Sequence, residues 1–329
     1  MDIFSHALLP YLLGKFFKRN KEEVTALVLG GLAPDFDVFI LWINYLYPTF
    51  FLITHRGITH SLLFGFFTGI VILYLASRTR IKAKVSRFID FRPVISYRMA
   101  VFAYAGVIIH LILDYFTTKG IPLLYPLDTA RWSAEVFFYT DIYLTILSLA
   151  IIIYLFKKPL QTNTITKFLV IFLVIFAILG AVRVVEKTSA EDFFQSININ
   201  AYPTGNPFNW YVLGESEDRL AIYQYNGLTR TSQYNETLLR LNIEPDGDDK
   251  ENLNAALDAA GDLPQIKMFR WRAYTSAINA SFSNGTWLLE YYDPVQRAMM
   301  RDAPAVFRRA TANWSSIIVK VEAGEAVVL

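Results

Sequence analysis

The apolar positions of this chain fall in long unbroken blocks up to about residue 186 and in short alternating runs after it. Residues 61–77, 99–118, 140–156 and 168–185 each hold a block long enough to cross a bilayer, for which ~20 apolar residues are typical and ~17 suffice. Two further blocks are weaker. Residues 3–17 are short, and 24–46 are interrupted by Pro34, Asp35 and Asp37 in "GGLAPDFDVF". The interruption predicts a half-helix, a turn, and then an outer-leaflet or re-entrant helix. Non-helical backbone at membrane depth is tolerated only where protein covers it or a wet cavity adjoins it. Beyond 187 the pattern changes to period two, and 209–213, 219–225, 286–292 and 315–321 read as strands. "PDGDDKENLNAALDAAGD" (245–262) reads as a solvated acidic loop capping a helix near 250–260, with a faint likeness to a calcium loop. The expected fold is mainly α. A polytopic membrane domain of about five to six helices occupies 1–186, and a soluble α+β domain occupies 187–329.

Composition supports the membrane half, since 54% of residues are hydrophobic, above the ~45–50% usual for soluble domains. Charge adds an orientation. Residues 1–187 carry 19 Lys and Arg against 11 Asp and Glu, whereas 188–329 carry 12 against 18. The basic residues of the first part concentrate in three connections: Lys15, Lys18, Arg19 and Lys21; seven Lys and Arg within 78–98; and Lys157, Lys158 and Lys167. The positive-inside rule places all three in the cytoplasm. Alternation then puts 47–60, 119–139 and the C-terminal domain outside. The basic residues at 15–21 follow the first apolar run rather than precede it, unlike a cleavable signal peptide. The outer domain is acidic, which argues against nucleic-acid binding.

Cysteine is absent, so disulfides, thiolate metal sites and thiol nucleophiles are excluded. No GxSxG elbow and no Walker A loop is present. What remains is histidine and carboxylate. All four histidines of the chain, His6, His55, His60 and His110, lie in the hydrophobic half, with Asp35, Asp37 and Asp114. Under the orientation above, all seven fall on the outer side. His110 and Asp114 are spaced i, i+4 and share a helix face. Asp35 and Asp37 can converge only from a turn, which Pro34 supplies, and Gly57 lets "HRGITH" bend between its two imidazoles. Ionisable groups at membrane depth are costly unless paired, and imidazole with carboxylate is a donor set for zinc, manganese or iron. Seven donors suit two or three ions better than one. Helix capping by the aspartates, a metal-free His110–Asp114 pair and a wet loop at His55 and His60 are the plainer readings of each feature alone.

"SHALLPYLLGK", "GGLAPDFD", "THRGITHSLLFG" and "HLILDYFTTKGIPLLYPL" resemble the ordered motifs of the YdjM family of membrane-bound, predicted metal-dependent hydrolases, over roughly residues 1–145. The resemblance implies metal ligation by His6, Asp35, Asp37, His55, His60, His110 and Asp114. Thr59, Ser61, Gly120 and Pro126 match further motif positions. Asp141 is either an eighth acidic contributor or a helix cap. A looser similarity in ligand types and HxxxD spacing, to zinc-dependent phospholipase C and P1-type nucleases, suggests phosphodiester chemistry.

The expected protein is thus a multi-pass cell-membrane hydrolase with a divalent metal, zinc foremost, that activates water against a phosphoester or other ester. Its setting in the bilayer points to a lipid or lipid-linked substrate. His60, Asp37 and Arg56 are the candidate catalytic residues, Arg56 as a clamp for an anionic group or as a headgroup-level anchor. Two other classes stay open. An ion- or proton-coupled transporter would carry ionisable groups at both membrane faces or an inverted repeat. A receptor or assembly protein would hold a structural metal in a closed site.

Overall fold

The computed structural model describes residues 1–47, 52–157, 162–194, 198–244, 250–301 and 315–329. They form two compact units, one of Met1–Tyr45 with Leu52–Val184 and one chiefly of Val185–Leu329.

The first unit is helical. Its helices are α1 (Ile3–Phe16), α2 (Lys21–Leu32), α3 (Ile43–Leu46), α4 (Leu62–Ser77), α5 (Thr79–Val85), α6 (Tyr97–Tyr115), α7 (Ile142–Lys157) and the start of α8 (Thr162–Phe194). Short 3-10 helices occupy Pro34–Phe39 and Ile58–His60. Local signals set the helix starts. Asp2 accepts from the Phe4 and Ser5 amides at the head of α1, and Asn20 and Glu23 form a capping box on α2. Ser61 caps α4 and Ser96 caps α6. The break expected at Pro34 is present: α2 stops at Leu32, and Asp35 and Asp37 ride on a 3-10 turn.

Glycine determines the central packing. A Cβ on Gly30 would lie 1.8 Å from the Ala103 carbonyl oxygen, and one on Gly106 would lie 2.1 Å from that of Leu27. The α2 and α6 backbones therefore touch, as small residues allow between membrane helices. Leu8, Leu12, Leu113, Leu144, Leu169 and Phe172 form a core shared by α1, α6, α7 and α8.

The number of spans is a correction. Among the described residues only α6 and α8 are long and apolar enough to cross a membrane singly; α4 and α5, bent by 78°, would be a third span if counted together. Eight α-helices are described in the unit, but most are too short to cross. The blocks at 61–77 and 140–156 yield helices of 16 residues each. At 1.5 Å per residue that is ~24 Å, short of a ~30 Å hydrocarbon core. The helices match the apolar blocks to within two residues, with Ser61 and Asp141 capping their starts; what fails is the expectation that ~17 residues suffice to cross.

The second unit is α+β. Strands β1 (Ile199–Pro203), β2 (Asn209–Glu215), β3 (Arg219–Asn226) and β4 (Thr231–Leu239) form an antiparallel meander. Trp210, Val212 and Tyr225 pack there with Ala190 from the end of α8. A second sheet orders β5 (Leu241–Ile243), β6 (Ala277–Ser283), β7 (Thr286–Tyr292), β8 (Ser316–Glu322) and β9 (Glu325–Val328). Its one parallel pair, β5 with β6, is joined through α9 (Lys250–Gly261) and α10 (Pro264–Arg272), as a parallel connection requires. Helix α11 (Pro294–Arg301) follows β7. All four expected strands are observed; the acidic stretch 245–249 lies outside the described residues.

Candidate metal centre

Four segments far apart in sequence bring the seven His and Asp side chains together. His6 comes from α1, Asp35 and Asp37 from the turn after α2, His55 and His60 from the segment before α4, and His110 and Asp114 from one face of α6. Three groups have ligand atoms mutually within 4.8 Å and could hold a metal ion: His6, His110 and Asp114; Asp35, His60 and His110; and Asp37, His55 and His60. His60 and His110 each belong to two groups, so the three are one continuous cluster.

Four atoms stand in a ring. His60 Nε2 is 3.5 Å from Asp35 Oδ1 and 3.6 Å from Asp114 Oδ2. His110 Nε2 is 3.7 Å from Asp35 Oδ1 and 3.5 Å from Asp114 Oδ2. His6 stacks on His110 with ring centroids 3.7 Å apart and aims Nε2 at the other Asp114 oxygen, 3.3 Å away. His6, His60, His110 and Asp114 are fully buried. Exposure is confined to two edges, Asp35 at 18% and His55 at 28% of the side chain.

Hydrogen bonds behind the rings aim their lone pairs. His110 Nδ1 donates to the Gly31 carbonyl at 2.8 Å, a contact that the close α2–α6 packing permits. That carbonyl lies in the last turn of α2, where helical partners run out. The Thr59 hydroxyl donates to Asp37 Oδ2 at 3.2 Å and accepts from His60 Nδ1 at 3.0 Å. His55 Nδ1 donates to Asp37 Oδ1 at 2.9 Å. His55, His60 and His110 are each left with a bare Nε2, the tautomer that second-shell partners impose on metal ligands. Burial also lowers the His60 pKa below its ordinary value and so favours the neutral ring. Yet both His6 nitrogens, His60 Nε2, His110 Nε2 and Asp114 Oδ2 have no hydrogen-bond partner. Buried polar atoms are nearly always satisfied, and each one left alone costs ~1–3 kcal/mol. An N/O donor set with converging open lone pairs fits a divalent cation.

Arg56 occupies a different place from that expected of an anion clamp or a headgroup anchor. Its guanidinium is buried. One nitrogen donates to Asp114 Oδ1 at 2.9 Å, and the other donates to the Thr117 hydroxyl at 2.7 Å and the Thr118 carbonyl at 3.2 Å. The Tyr139 ring lies 3.8 Å below it. Arg56 therefore compensates the charge of Asp114 from inside. The Met1 amino group donates to the same Asp114 oxygen. Gly57, next in the chain, is the only residue that fits: a Cβ would lie 2.0 Å from the Leu52 carbonyl oxygen.

Asp141 is a cap. Its Oδ1 accepts from the Tyr143 and Leu144 amides at the head of α7, and its Oδ2 pairs with Arg183 of α8 at 2.7 Å. Ser61 caps α4, Gly120 takes a φ of +53°, and Pro126 follows a cis peptide bond. Thr117 and Tyr139 escaped the sequence reading. Thr117 stands three residues after Asp114, a spacing that places both at one helix end, but nothing marked Tyr139.

These features define a class: a membrane protein whose helices gather a buried His/Asp cluster able to hold a metal ion. The chain belongs to the YdjM inner membrane protein family, whose model matches residues 1–189 and so takes in all seven clustered residues. No curated protein and no solved structure matches the chain.

Proposed function

We propose that this chain is a membrane-embedded, metal-dependent hydrolase of a phosphoester or other ester. The observation that carries the reading is the set of four buried, unpartnered donor atoms His6 Nε2, His60 Nε2, His110 Nε2 and Asp114 Oδ2, gathered where Asp35 and His55 keep, among the clustered residues, an accessible edge. A closed structural site would leave no such edge. A divalent ion bound there, zinc by the balance of nitrogen and oxygen donors, supplies a Lewis acid and lowers the pKa of water toward ~7. The residues do the rest. Thr59 and the Gly31 carbonyl hold the His60 and His110 rings in register, and Arg56 keeps Asp114 ionised in an apolar setting. The three basic connections support an extracytoplasmic site, and the surrounding apolar helices favour a lipid or lipid-linked substrate presented at headgroup depth.

The test is hydrolysis by protein purified in detergent. Bis-p-nitrophenyl phosphate, p-nitrophenyl phosphate and a p-nitrophenyl carboxylester are offered before and after chelation. We expect turnover of one of them that chelator abolishes and zinc restores. A protein that binds zinc tightly yet cleaves none of the three, nor a phospholipid in mixed micelles, would sink the reading.

A further inference from the structure

The seven groups are not equivalent. We infer that six of them divide into a single four-donor cation site, Asp35, His60, His110 and Asp114, and an Asp37–His55 acid–base pair that stands beside the ion without ligating it, with His6 stacked behind His110. The role of the pair rests on the hydrolase reading above; the division rests on geometry.

The four ring atoms are separated by 3.5, 3.5, 3.6 and 3.7 Å along the edges of the ring. Around an ion bound at ~2.0–2.1 Å, tetrahedral ligand atoms stand about 3.3–3.4 Å apart. Four of the six separations of such a tetrahedron are thus already within a few tenths of an ångström of what an ion needs. His60 Nε2, His110 Nε2 and Asp114 Oδ2 have no competing partner.

Asp37 is the opposite case. Both of its oxygens are spoken for: Oδ1 by His55 Nδ1, and Oδ2 by the Thr59 hydroxyl and the Arg56 amide. The ion pairing of His55 among the described residues runs to Asp37, and neither Asp35 nor Asp114 comes within pairing distance of it. A second ion at Asp37, His55 and His60 would have to compete with these hydrogen bonds for Asp37, whereas the ring atoms of His60, His110 and Asp114 face no competitor. A further ion beside His6 would meet the Arg56 guanidinium on the Asp114 oxygen that His6 faces.

His55 is then the accessible proton carrier, and Asp37 is its positioning residue. In the hydrolysis the water oxygen bonds to the phosphorus or carbonyl carbon of the ester, and the water proton passes to His55 Nε2. The bond to the leaving oxygen breaks, and that oxygen takes the proton from His55. Asp37 holds the Nδ1–H throughout and does not change its own protonation.

The test reads metal content and turnover separately. Full-length protein loaded with zinc and desalted should retain one zinc per chain by elemental analysis. Asp37→Asn and His55→Ala should retain that one, which also reports that they fold, and His60→Ala should lose it. If His60→Ala does not fold, Asp35→Asn, on the exposed edge, reads loss of a vertex instead. His55→Ala should lose ~10²–10⁴-fold in turnover of the ester that the parent protein cleaves, with added imidazole restoring part. Two or more zinc per chain, one of them lost in Asp37→Asn or His55→Ala, overturns the division. One zinc throughout with full turnover in His55→Ala overturns the acid–base pair. No zinc in the parent protein ends both this inference and the hydrolase reading.

Discussion

Two buried ionic clusters sit in the same helical unit and are finished differently. Asp141 and Arg183 are fully buried, and the carboxylate is satisfied by the guanidinium and by two amides at the head of α7. The Asp114 cluster is buried as deeply, and its Oδ1 is as well satisfied by Arg56, but its other oxygen and the imidazole nitrogens facing it have nothing. In one cluster the carboxylate is complete as protein alone. In the other it keeps an open oxygen among His and Asp groups that could hold a metal ion. A buried charge says little about function, because a partner can neutralise it locally; buried lone pairs that converge and have no partner identify a ligand site.

That contrast is breakable from both sides. The largest effect is expected from Asp114→Asn, which removes a ring donor and strips Arg56 of its counter-charge. Leaving a buried charge uncompensated costs ~3–5 kcal/mol, so denaturant unfolding should show at least that loss. Zinc should then give no thermal stabilisation, and ester turnover should vanish. Retention of zinc-dependent stability would show that Asp114 is not a ligand. Next is Arg183→Met, which does to the finished pair what Asp114→Asn does to Arg56. It should also destabilise by ~3–5 kcal/mol, but zinc content should stay unchanged. Asp141→Asn in that background should restore part of the stability, since Asn still caps α7 without a charge. A drop in zinc content in Arg183→Met would mean that the clusters are coupled. The smallest effect is expected from Thr59→Val, which removes only the hydroxyl behind His60. The zinc Kd should rise ~10–100-fold by titration, with unfolding stability nearly unchanged. No change in Kd would remove Thr59 from the support of the site.

Much of the site was legible before the fold. With no thiolate in the chain, the four histidines and Asp35, Asp37 and Asp114 of the apolar half stood out as candidate metal donors, and the i, i+4 spacing of His110 and Asp114 put both on one face of α6. Pro34 announced the turn that carries Asp35 and Asp37. Strands with clear alternation, such as Asn209–Glu215 and Thr286–Tyr292, were equally plain. Others were not. Strand Thr231–Leu239 is polar along much of its length, and Ala277–Ser283 is small and weakly patterned, so pairing rather than propensity makes them strands. The number of spans was overestimated although the helices at 62–77 and 142–157 were located to within two residues, because 16-residue helices fall short of the bilayer core.

The sequence by itself determined the chemistry of this protein: which donor types exist, that they lie in its apolar half, and that none is a thiol. These follow from composition and from the short-range periodicity of helices, which a linear pattern contains in full. Only the tertiary structure decided which lone pairs remain open. The contact of α2 with α6 at Gly30 and Gly106 accompanies the aim of His110 at Gly31, Arg56 turns inward to Asp114, and Asp141 is consumed by Arg183. Hydrogen-bond partners are assigned in space, between residues as far as 113 positions apart at this site, and no spacing along the chain shows which acceptor a given donor will reach.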